Sequence, residues 1–138
     1  MKFKSQEESK DNPFLKSVCD LIIVNKQFVY AISSINKDRF ARIIRNLKAD
    51  CGHLIKLAIC LSEDHKSPTI TVEYSPAESI KDLKTFEEKY YNMLKEIANN
   101  ALEENNAEVF TYLSSIITEF DHYFCTLNED NDSGETGS

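Results

Sequence analysis

Two apolar stripes in this chain match position for position, and each carries one polar residue at the same place. The first is Val18, Leu21, Asn25, Phe28, Ile32, Ile35; the second is Ile80, Leu83, Glu87, Tyr90, Leu94, Ile97. Both advance by three and four residues, which puts every member on one face of an α-helix. Each stripe is followed, after a short polar break, by a second amphipathic run. The pattern predicts an all-α four-helix bundle made of two antiparallel hairpins.

The first helix is expected to start after Asp11 or Asn12, with Pro13 in its first turn, and to run to about Ser33. The second opens with Asn36 as N-cap and carries Phe40, Ile44, Leu47, Cys51, Leu54, Ala58 and Leu61 on one face, ending near Glu63. A break of so few residues forces antiparallel neighbours. The third begins around Ser75, Pro76 and Glu78 and continues to about Ala101. The fourth presents Val109, Phe110, Leu113, Ile117, Phe120, Phe124 and Leu127, after a tight turn over Glu103 to Asn106. Between the hairpins, Asp64 to Tyr74 is too long for a turn. Its eleven residues, at about 3.3 Å each, reach roughly 36 Å, the length of a helix of about 24 residues. The segment is therefore expected to cross the bundle lengthwise, and helices one and three are expected to be roughly parallel. The domain reading is a mobile N-terminus over 1–11, one bundle over 12–128 and a disordered acidic tail over 129–138, where apolar residues to offset ordering entropy run out.

Composition restricts the partners. Seven net negative charges repel phosphate backbones and anionic lipid, so neither nucleic acid nor a membrane is an expected partner. The longest aliphatic run, Leu21 to Val24, is far short of a bilayer span, and residues 1–12 lack the apolar core of a secretion signal. Cys19, Cys51, Cys60 and Cys125 form no C-x-x-C pair and read as reduced cysteines of a cytoplasmic protein, packing mostly as small hydrophobes. There is no Gly-rich phosphate loop and no Ser-His-Asp order, so a metal is the one cofactor the residues hint at.

Helix three offers Glu87. Helix four offers Glu119-Phe120-Asp121-His122, a Glu-x-x-His, and helix two offers Asp50-Cys51-Gly52-His53, with Asp in place of Glu. With the hairpin, crossover, hairpin order, this resembles the ferritin-like superfamily and its rubrerythrin-type members. That resemblance implies two irons or manganeses held by Glu87, Glu119, His122, Asp50 and His53, in a protein that handles iron, oxygen or peroxide. Helix one departs from the pattern, because Asn25 stands where the family has a carboxylate. In height, Glu87 and Glu119 are both sixteen residues from the second turn, taken at about residue 103. In direction, at about 100° per residue, Glu119 falls roughly 100°, His122 roughly 160° and His53 roughly 130° from the centres of their apolar faces. Only a local π-bulge would turn them inward.

Asn25 and Glu87 do lie on core faces. A carboxylate there costs several kcal/mol unless it is paired, hydrogen-bonded or protonated, so a buried network of Asn25, Glu87 and Tyr90 is expected, with Tyr91, Tyr112, Ser114 and Ser115 as further partners in reach. Gly52, the one glycine inside the patterned region, is expected to allow a close helix crossing, a kink or the approach of a partner helix. Helix two holds all three arginines, Arg39, Arg42 and Arg45, together with Lys37, Lys48 and Lys56. Arg39, Arg42, Arg45 and Lys48 are the candidate contact with an acidic partner or with the acidic face of another subunit. The expected function is a non-catalytic ferritin-like bundle acting in protein binding or self-association, with a homodimer as one form and no cofactor. The alternatives are the di-metal carboxylate protein and a bacterial effector secreted without a Sec signal. For the last, the C-terminal acidic and small residues resemble the signals of some type IV secretion substrates.

Overall fold

A computed structural model of the protein describes residues 12–136, with side chains described through residue 122. The expected mobile segment 1–11 lies outside the described residues. Four helices follow one another: α1 (Leu15–Asn36), α2 (Ala41–Leu61), α3 (Ile80–Glu103) and α4 (Ala107–Thr136).

Local chemistry sets the helix ends. Asn12 Oδ1 accepts the Phe14 N–H at 2.9 Å, while the Asn12 N–H reaches Leu61 O at 3.1 Å and ties the start of α1 to the end of α2. Asn36 closes α1 and does not open α2. Its side chain accepts the Arg39 N–H at 3.0 Å and so shapes the turn over 37–40. Ser79 caps α3 by accepting from Asp82 N, and Asp82 Oδ2 accepts from Glu78 N at 2.9 Å, a reciprocal cap that fixes the helix start later than Ser75. The second hairpin turns through Asn105 at φ +58, the left-handed conformation that asparagine tolerates. There the Asn106 and Asn105 N–H groups return to Ala101 O and Leu102 O, a Schellman closure, and Asn106 Oδ1 then caps α4 through Val109 N.

The crossover runs up along α1. Gln27 Nε2 donates to Glu73 O at 3.1 Å, the Tyr30 and Tyr74 rings meet at 5.1 Å, and Ala77 N donates to Ser34 Oγ at 3.0 Å. The chain thus travels from the Leu61 end to the Asn36 end before α3 begins. From there α3 descends, with Phe86 beside Phe28 and Tyr90 beside Asn25. Helices α1 and α3 are therefore antiparallel, which corrects the expectation of a parallel pair. A lengthwise crossover returns the chain to the end where α1 finishes, so α3 must run against α1. Helix α1 packs on α2 and α3, and α4 packs on α3 and, more loosely, on α2. Among the described residues the crossover forms no strand, despite the alternation in Thr69 to Tyr74.

The core follows the stripes. Val18, Leu21, Phe28 and Ile32 of α1, Leu47, Leu54 and Ala58 of α2, Leu83, Tyr90 and Leu94 of α3, and Val109, Leu113 and Phe120 of α4 are all essentially inaccessible. Ile22, Val24 and Ala31 are buried as well, because α1 is covered by α2, α3 and the crossover together. That wide face makes α1 long and apolar enough to cross a membrane by length and composition, with 44% of its apolar window buried within the bundle. The backbone of α4 stays helical to Thr136, past Asn128 where the apolar pattern stops. Each residue so added extends the helix by one backbone hydrogen bond.

Candidate functional site

Three polar or charged side chains are buried among the described residues: Asn25, Asp50 and Glu87. Asn25 holds α1, α2 and α3 together. Its Nδ2 donates to Leu47 O and to Tyr90 Oη, both at 3.0 Å. Both amide hydrogens are thereby used, and the Tyr90 hydroxyl keeps its own proton to donate. The Tyr90 ring packs edge-on to Phe120 at 5.3 Å and tilted against Phe28 at 6.2 Å. Burial first, then the charge of Asp50, holds its phenol above the ordinary range, partly offset by the hydrogen bond from Asn25.

Glu87 does not join the Asn25–Tyr90 bond, and no hydrogen bond to its carboxyl exists among the described residues. The antiparallel crossing explains this. With Asn25 level with Tyr90, the residue level with Glu87 is Phe28, about one turn away along α1. Burial pushes the Glu87 carboxyl up to about 8, with Glu88 adding to the effect and Lys84 opposing it. Glu87 is thus a protonated, neutral group at pH 7. Asp50, which the sequence reading assigned to a metal, is fully buried, and its charge acts on Tyr90 and on Cys51. Nothing in the sequence separated Asp50 from its exposed helical neighbours Lys48 and Ala49 except its position next to the Cys51 stripe.

The proposed metal ligands do not assemble. Glu87 and Asp50 are in the core, whereas His53, Glu119 and His122 are exposed. The exposed three line the shallow cleft between α2 and α4, where Glu119 adjoins His53, Tyr112 and Ser115 on one side and Arg42, Asn46, Thr118 and His122 on the other. Among the described residues no group of three or more His, Cys, Asp or Glu could hold a metal ion, so a di-iron or di-manganese centre does not fit this donor set.

The cations of the 37–40 turn and of the first half of α2 are open to solvent. Arg39, Arg42, Arg45 and Lys48 are all exposed, and the Arg39 guanidinium lies 5.1 Å from the centre of the Phe40 ring. Arg42, Arg45 and Lys48 make no ion pair with any described residue, whereas on α1 Lys16 pairs with Asp20 one turn on. Gly52 lies on the same outward side of the helix. A Cβ built on it would meet nothing within 4 Å, so no close helix crossing explains this glycine.

No family model, curated protein or solved structure gives a significant match to the chain.

Proposed function

We propose that this chain is a non-catalytic helical bundle of ferritin-like connectivity that works as a protein-binding or self-association module, docking acidic surfaces on the outward face of α2. One observation carries the reading. On a chain with seven net negative charges, Arg42, Arg45 and Lys48 stand exposed across the solvent side of α2, from the α4 cleft at Arg42 to the α1 groove at Lys48, without ion pairs to described residues. Charges so arranged steer an acidic partner and fix its register more than they stabilise the fold, since exposed pairs contribute little to stability. The hairpin, crossover, hairpin order, with α1 beside α3 and α2 beside α4, supports the ferritin-like part.

The test uses the intact chain and an Arg42→Glu/Arg45→Glu variant. Light scattering over a concentration series reads self-association, and binding to immobilised polyglutamate reads capture of an acidic chain. The wild type is expected to show at least one of these at low ionic strength and to lose it in about 0.5 M salt, where screening acts within a few ångströms. The variant is expected to show neither while melting like the wild type. A wild type that stays monomeric and ignores polyglutamate would overturn the proposal.

A further inference from the structure

Helices α1 and α2 do not close fully against each other on the side that carries the crossover. A groove of about 370 Å³ remains there, with Asn25 and Cys51 at its floor, Val29 and Ile55 on its walls, and Tyr74 at one edge. This volume falls within the range of small-molecule sites, about 300–1,000 Å³. Gly52 lies in the groove, and its missing side chain leaves space that no described residue fills. The floor is rigid, because both Asn25 amide hydrogens are held by Leu47 O and Tyr90 Oη.

Two cations border the groove, Lys26 from α1 and Lys48 from α2. Lys26 lines the groove on the α1 side, facing Lys48, Cys51 and Gly52 of α2 across it. Tyr74 belongs to the crossover, whose Glu73 carbonyl is bonded to Gln27 and whose Tyr74 ring rests on Tyr30. A partner helix needs an unobstructed track about 10 Å wide, and the crossover blocks one side. A compact molecule has no such need.

We infer that this groove binds a small anionic amphiphile, an aromatic carboxylate whose ring lies over Gly52 between Ile55 and Tyr74 and whose charge is met by Lys26 and Lys48. Lys48 belongs both to this groove and to the exposed α2 face, and the two tests are kept apart by their variants, Arg42→Glu/Arg45→Glu for the face and Lys26→Gln/Lys48→Gln for the groove.

Naphthalene-2-carboxylate serves as the probe, with neutral 2-naphthamide as its comparator, in an amide NMR titration of the ¹⁵N-labelled chain. Gly52 is the one glycine before residue 134, which makes its amide easy to follow. The carboxylate is expected to shift the amides of Gly52, Cys51 and Ile55 in a saturable way, and the naphthamide to need at least about tenfold more for the same shift. Gly52→Leu should fill the groove and abolish the shifts with spectral dispersion retained. Lys26→Gln/Lys48→Gln, which leaves the groove open, should bring the carboxylate down to the affinity of the naphthamide. Shifts scattered away from the groove, equal affinity for the two probes, or binding unchanged in both variants would overturn the inference.

Discussion

Replacing Glu87 by Gln should flatten the pH dependence of folding between pH 5 and 8. In the unfolded chain this carboxyl loses its proton near the ordinary value of 4.5, whereas in the folded chain burial keeps it protonated up to about 8. Between those values the folded state binds the extra proton, so stability is full below pH 4.5 and is lost as the pH rises through 8. At about 1.4 kcal/mol per pH unit, the 2.5 units from 4.5 to 7 correspond to roughly 3 kcal/mol lost through this one group. A glutamine keeps the shape and carries no charge at any of these pH values. Its amide adds a constant offset of about 1 kcal/mol for imperfect hydrogen bonding, which does not depend on pH. Asp64 does not intrude, because hydrogen bonds from Ser62 and from the Lys66 N–H hold its carboxyl below its ordinary value, under the window of interest. Urea melts of both proteins at half-unit steps from pH 5 to 8.5 measure the effect. The wild type should weaken steadily relative to Glu87→Gln, which should be the more stable protein above pH 7. A difference that stays constant across the range would mean that Glu87 is ionised throughout in the folded state, and the desolvation argument would fail.

Gly52→Ala should raise the melting temperature by about 4 °C, since helix propensity favours Ala by about 1 kcal/mol and the new Cβ meets nothing; a fall in a calorimetric scan would show that the fold needs the space. A double-mutant cycle of Asn25→Ala and Tyr90→Phe should give a coupling of about 1 kcal/mol for their 3.0 Å hydrogen bond, and strict additivity in chemical denaturation would deny that the bond contributes. Thiol labelling at pH 8, in a Cys125→Ser background, should modify Cys60 first because it is exposed. Cys19 and Cys51 should lag, since burial raises both thiols; mass spectrometry showing Cys51 labelled as fast as Cys60 would mean that the α1–α2 seam opens readily.

What could be read from the sequence followed from periodicity and length. The 3.6-residue repeat sorted Leu47, Leu54, Leu83 and Leu94 onto core faces without any knowledge of their partners, because burial of a helix face is a property of the helix itself. The reach of the crossover likewise came from chain dimensions, and hydrogen bonds from Gln27 to Glu73 and between Ala77 and Ser34 now trace it along α1. Relations between helices were a different matter. Matching Asn25 with Glu87 by position in the two stripes assumed that equal positions meet, but an antiparallel crossing reverses one stripe and pairs Asn25 with Tyr90. Gly52 shows the same limit. A mid-helix glycine marks a place where a side chain is absent, and only the neighbouring helix decides whether the space is filled by a close crossing or left open. In this fold no described residue comes within 4 Å of a Cβ at that position, and the glycine lines the groove together with Lys26 and Lys48, so it marks a concave surface and not a contact.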